Sequence, residues 1–199
     1  VVMEYYPDGD LFGYIKNHSS LPMAEVTRLA LQIAQGVLIL HTSNPPLIHR
    51  DLKSPNILIK LSTDNKIAQC VISDFGETVP VTHLTECNAV ECPYWLAPEV
   101  IESQSFSTAS DIFSFGMILW EMYTWSRPYG DTPNLSTVRE RVTSYDFPAI
   151  PSADLRLEMI IRRCWDNPSS RPSIRRITDA LQLKEYDETV LNRILSTPN

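Results

Sequence analysis

The stretch Ile48-His49-Arg50-Asp51-Leu52-Lys53-Ser54-Pro55-Asn56-Ile57-Leu58-Ile59 sets a polar loop between two short apolar runs. Asp51 and Asn56 stand five residues apart, Pro55 stiffens the turn between them, and β-branched residues on both sides favour strands. A loop anchored in this way can aim an acid, an ammonium and a carboxamide into one pocket. Downstream, Ala68 to Ile72 is a second strand-like run, joined to Ile57–Ile59 through the polar Ser62-Thr63-Asp64-Asn65-Lys66. Such a hairpin returns the chain to the loop and carries Asp74 beside Asn56.

Upstream, Val1 to Tyr5 reads as a strand, and Pro7-Asp8-Gly9-Asp10 as a turn into a short helix through Leu11, Phe12 and Ile15. Ser20 is placed to cap a second helix with Pro22 in its first turn. Val26, Leu29, Ala30, Ile33, Ala34, Val37 and His41 then give one buried face, and Asn44-Pro45-Pro46 ends the helix. Ser107 to Thr124 is apolar around almost its whole circumference, which predicts a helix buried on all sides. Asp111, near its start, is the exception, a carboxylate favoured by the helix N-terminus. Leu135, Val138 and Val142, then Leu157, Ile160, Ile161 and Cys164, then Ile174, Ile177 and Leu181 mark three further amphipathic helices. Val190, Leu191, Ile194 and Leu195 suggest one more short helix or a fraying tail.

Composition narrows the partners. The 199 residues, 43% hydrophobic, suffice for one good core, and no internal repeat is visible. A net charge of -7 with no run of Lys or Arg argues against nucleic acid or an anionic membrane as the main partner. The cysteines at 70, 87, 92 and 164 lack metal-type spacing, so reduced thiols are expected. No uninterrupted apolar run of about 18 residues is present, and a cytoplasmic protein is the expectation. The chain enters directly on Val1-Val2-Met3, as if cut from a longer protein.

His49-Arg50-Asp51-Leu52-Lys53-x-x-Asn56 resembles the catalytic loop of protein kinases. Asp74-Phe75-Gly76 and then Ala97-Pro98-Glu99 follow in the order that family requires. The resemblance runs from hinge to final helix and implies a mainly α fold: a kinase-like C-terminal lobe with a few short β-strands over residues 1–185, then a tail or short helix over 186–199. Leu52-Lys53-Ser54-Pro55-Asn56 with Trp95-Leu96-Ala97-Pro98-Glu99 looks most like the tyrosine-kinase-like group, which mostly phosphorylates Ser and Thr. Carried over residue by residue, the resemblance makes Asp51 the acceptor of the substrate hydroxyl proton and Lys53 the stabiliser of the moving phosphoryl group. It gives Asn56 and Asp74 to Mg²⁺, Met3 to the gatekeeper position and the backbone of Glu4 and Tyr6 to the adenine edge of ATP. Asp10 would face the ribose, Leu58 would lie under the adenine, Arg171 would pair with Glu99, and Asp111 would accept backbone N–H groups of the catalytic loop.

From Glu77 to Leu96 periodicity is weak, matching the kinase activation segment. Thr78, Thr82, Thr85 and Tyr94 are candidate phosphorylation sites there, with Arg50 as a partner for phosphate. One departure stands out: most of the group carry Gly-Thr where this chain has Glu91-Cys92. A thiol is a poor substitute for a bridging hydroxyl, so a pseudokinase or scaffold lobe is the second reading, while Ala-Pro-Glu and Arg171 count against a small-molecule phosphotransferase. The glycine-rich phosphate loop and its lysine strand are not among these residues, so an upstream lobe is an expected partner beside the protein substrate, and the lobe alone is expected to be inactive.

Overall fold

Around one apolar helix the remaining elements find their places. The computed structural model describes residues 4–64, 66–83, 92–130 and 134–196. The pillar is α4 (Thr108–Thr124), started by a reciprocal capping box in which Ser107 and Ser110 each bond the other's backbone N–H. Every residue from Ser110 to Tyr123 is buried. Each large apolar side chain fully removed from water here, such as Phe113, Phe115, Met117 or Ile118, contributes about 1.5 to 3 kcal/mol. Gly116 is where α6 (Leu155–Cys164) and the turn after it come closest: a Cβ there would lie 2.5 Å from that of Cys164 and 3.0 Å from Trp165 Nε1.

The chain before α4 comprises α1 (Leu11–Asn17), α2 (Met23–His41), β1 (Leu47–Ile48), β2 (Ile57–Leu61), β3 (Ile67–Ile72), β4 (Val79–Pro80) and α3 (Pro98–Ser103). After it come α5 (Leu135–Thr143), α6, α7 (Ile174–Gln182) and α8 (Glu188–Ser196). This is the mainly helical lobe with few strands that the sequence predicts. α2 buries Val26, Leu29, Ala30, Ile33, Ala34 and Val37 against α4, α7 and β3. β2 and β3 form an antiparallel hairpin with Ile57 opposite Ile72, and β1 pairs with β4. Leu191 and Leu195 of α8 are buried against α6 and α7, so this last segment packs as a helix.

Several local expectations are corrected. Glu4 and Tyr5 are exposed and outside any strand, and residues 1–3 lie outside the described ones. Ser20 does not cap α2; Pro22 sits at the N-cap and its carbonyl accepts the N–H groups of Glu25 and Val26, which sets the start two residues later than a Ser20 cap would. Leu135, read as part of a buried face, is exposed, leaving Val138 and Val142 to seat α5. α3 went unforeseen, because six residues are too few to show a period. α2 is also long and apolar enough to cross a membrane by length and composition, contrary to the reading above. The contacts of its apolar face with α4, α7 and β3 account for that composition within the lobe.

Candidate active site

The loop after β1 is held from beneath by Asp111. This carboxylate, 1% exposed in the first turn of α4, accepts the His49 N–H at 2.8 Å and the Arg50 N–H at 3.1 Å. The ring of His41, at the end of α2, meets it at 2.9 Å. Two backbone positions here are strained, Arg50 in the gripped loop with φ of 70° and Asp74 after β3 with φ of 60°, a region non-glycine residues seldom occupy. Nδ1 of buried His49 accepts the Asp51 N–H at 3.3 Å, which leaves Nε2–H to donate to the Ser73 carbonyl at 3.1 Å. One imidazole therefore ties the segment containing Asp51 to the one containing Asp74, and Phe75 packs on its ring.

At the mouth, Lys53 Nζ lies 2.8 and 2.7 Å from the two carboxylate oxygens of Asp51, and both side chains are about one-quarter exposed, at 26% and 28%. The Asn56 amide donates to the Asp51 carbonyl at 2.8 Å and to its Oδ2 at 2.9 Å. Both amide protons are thus used, and the carboxamide oxygen is the end left for a hard cation. The Asn56 carbonyl takes Ser73 N–H and Oγ–H at 2.9 and 3.0 Å, placing Asn56 beside the segment that carries the exposed Asp74. Among the described residues no three His, Cys, Asp or Glu side chains form a metal cage. An amide oxygen and an aspartate fit Mg²⁺ completed by phosphate and water.

The other predicted nucleotide contacts are less gathered. Asp10 caps α1, its Oδ1 accepting Gly13 N–H at 2.8 Å, and its backbone bridges Leu58, whose side chain is half-buried while Ile57 and Ile59 face the core. Ile59 N–H donates to the Gly9 carbonyl at 3.0 Å, so this turn is stitched to β2. Glu4 is exposed and Tyr6 partly so, with Tyr6 Oη 3.5 Å from Glu4. Met3 lies outside the described residues.

The segment predicted to face a substrate runs on from β4, whose pairing with β1 fixes its start. Tyr94 is 2% exposed, against Trp95 and under the Arg127 guanidinium at 4.3 Å, so its hydroxyl does not present itself for modification. The Thr78 hydroxyl is buried without a hydrogen bond, Thr82 faces out beside His83, and Thr85 and Glu91 lie outside the described residues. Arg50 is directed at the ring of Phe106, 4.7 Å away, and at Glu77, 4.0 Å away. Cys92 is half-buried; burial raises its thiol pKa, against the lowering influence of nearby Lys53.

Sequence reasoning missed Glu121. This carboxylate is 1% exposed within α4 and accepts from Ser54 Oγ at 3.0 Å and from Trp95 Nε1 at 2.7 Å, joining the loop after β1 to the segment that precedes α3. Burial pushes its pKa up to about 8, against the two hydrogen bonds, which lower it. From its ordinary 4.5 to about 8 the native state holds a proton that the unfolded chain has released, so this group makes stability fall as pH rises through that window. Glu121→Gln is expected to flatten this decline. Urea unfolding at several pH values between these limits checks it, and an unchanged slope would assign the proton elsewhere.

The profile of the protein tyrosine and serine/threonine kinase family matches residues 1–181 of this chain. The chain belongs to this kinase family. It is 35% identical over 186 residues to the probable serine/threonine-protein kinase pats1 of Dictyostelium discoideum, a match covering 91% of this chain and 6% of that protein. It is 33% identical over 187 residues to the serine/threonine-protein kinase CTR1 of Arabidopsis thaliana, covering 92% and 22%. It is 34% identical over 195 residues to the Arabidopsis serine/threonine/tyrosine-protein kinase HT1, covering 96% and 48%. The chain therefore spans less than half of the length of each of these relatives. These relatives are serine/threonine kinases, HT1 being named for tyrosine as well, and they are of the tyrosine-kinase-like type that the kinase motifs imply.

Proposed function

We propose that this kinase lobe transfers the γ-phosphoryl group of ATP to Ser or Thr hydroxyls of protein substrates. The observation that carries the reading is the Asp51 carboxylate, part-exposed and oriented by both Lys53 and Asn56. Asp51 would align the acceptor hydroxyl and take its proton, and Lys53 would place a positive charge on the transferred group. Mg²⁺, held through Asn56 and Asp74, would neutralise the triphosphate. The glycine loop and its lysine would come from sequence ahead of Val1, in a cytoplasmic protein, and without them the lobe would bind ATP without positioning it.

The second reading, a pseudokinase lobe used for protein binding, is favoured by Cys92. The two differ in the effect of Cys92→Thr. If the lobe is catalytic, a hydroxyl beside Lys53 and Asp51 should bond more strongly than the thiol and raise transfer to a Ser/Thr peptide by about tenfold, the worth of one hydrogen bond to a charged group. Peptide phosphorylation by the full-length protein reads this out. No turnover in either the parent or the variant would favour the binding module.

A further inference from the structure

A cavity of about 380 Å³ opens between α1 and the turn that follows α4. Phe12, Ile15 and Trp125 give it apolar walls, and Lys16, His18, Glu121 and Arg127 complete the lining. We propose that this cavity is a substrate subsite in which Arg127 selects an acidic side chain close to the acceptor hydroxyl. The proposal rests on the reading of the lobe as a protein kinase and adds the class of substrate, an acidic peptide.

Arg127 lacks the partner that a guanidinium in such a place ordinarily has. It packs on the rings of Tyr94, at 4.3 Å, and Phe12, at 5.8 Å, yet makes no ion pair or side-chain hydrogen bond among the described residues. Its Nε is buried without an acceptor, a donor whose desolvation nothing in the lobe offsets. A planar fork seated on aromatic faces is set for a carboxylate, which can take two of its N–H groups at once. Glu121, the carboxyl in the lining, is not that partner. Its two oxygens meet Ser54 and Trp95, and burial pushes its pKa up to about 8, so it is largely uncharged at neutral pH. His18 spends its Nδ1–H on the Tyr14 carbonyl, at 2.9 Å. Lys16, exposed in the last turn of α1 and without an ion pair among the described residues, adds a second positive charge. The lining thus carries two unpaired cations, and its apolar walls can pack the methylenes of a glutamate.

The cavity adjoins the predicted reaction centre. Glu121 bonds Ser54, the neighbour of Lys53, and Trp95, in the segment predicted to face a substrate. Cys92 lies within electrostatic reach of Lys53, Arg127 and Asp51 together. An extended peptide advances about 3.3 Å per residue, so a side chain two or three residues from the acceptor spans the distance between such neighbours.

The test is a set of neutral serine peptides with a single glutamate, alanine or lysine at each of three positions on either side of the acceptor. With the full-length protein, glutamate at one of these positions should raise kcat/KM about tenfold over alanine, the worth of a charge-assisted hydrogen bond, and lysine there should lower it. Arg127→Glu should reverse the order, so that lysine becomes the favoured residue, and Arg127→Lys should keep the parental order; a circular dichroism melt checks that each variant is folded. Reversal by charge exchange is a result that a merely structural role for Arg127 would not give. The same peptides, labelled and with alanine in place of the acceptor, should show the same order of affinity by fluorescence anisotropy. Equal values for glutamate and alanine at all six positions would overturn the subsite. So would a parental preference for lysine, which would give the cavity to Glu121, or a glutamate preference that survives in folded Arg127→Glu. If no peptide is phosphorylated while binding still favours glutamate, the subsite stands and the transfer reading falls; if neither transfer nor binding favours glutamate, the subsite falls.

Discussion

Asp51→Asn should lower phosphoryl transfer by about a thousandfold in the full-length protein, with little change in unfolding temperature. The carboxylate is 28% exposed and meets Lys53 and Asn56 at the surface of the loop, so the amide fits the same space. What is lost is a group able to accept the substrate proton. Lys53 also loses its anionic partner, which leaves its ammonium free to bind phosphate in the ground state. KM for ATP should therefore stay level or fall while kcat collapses, a split that steady-state kinetics resolves. A comparable fall in both activity and stability would mean that Asp51 is structural.

The second large effect concerns Glu99 and Arg171, 72 residues apart in sequence. The Arg171 side chain is fully buried and meets both Glu99 oxygens, at 2.5 and 3.0 Å, in a two-point pair. It also donates to the carbonyls of Asp166 and Ala109, and its guanidinium lies 5.2 Å from the centre of the Phe113 ring. Glu99→Ala strands a buried guanidinium and should cost about 3 kcal/mol or more. Arg171→Ala should cost at least as much, because two further carbonyls lose their donor. The double variant should be less destabilised than the sum, with a coupling of about 1 kcal/mol or more in denaturant unfolding. Additive losses would show that the pair contributes no interaction of its own.

How much was legible in the sequence follows from distance along the chain. Asp51, Lys53 and Asn56 lie within one short loop, so their convergence follows from a turn and two strands. The all-round apolar run of α4 announced a pillar without reference to anything else. Glu121 was hidden because its partners Ser54 and Trp95 are 67 and 26 residues away, and within the helix it reads as one acid in an apolar run. His41 looked like a member of the buried face of α2; its ring instead reaches Asp111, 70 residues on. Tyr94 looked available because the stretch around it lacks a period, yet Trp95 and Arg127 enclose it. A periodicity reads one element at a time, and these contacts are made between elements.

The most direct test of the account is metal-dependent transfer by Asp74→Asn. Asp74 is exposed and, among the described residues, its side chain accepts a hydrogen bond from the Gly76 N–H alone, at 3.4 Å, so the substitution leaves the core untouched. Radiolabelled transfer from ATP to a Ser/Thr peptide would be followed in the full-length protein across a Mg²⁺ titration, beside a circular dichroism melt. The account predicts a folded protein whose transfer is lost at Mg²⁺ concentrations that saturate the parent. A folded Asp74→Asn protein that transfers phosphate at the parental rate would contradict it.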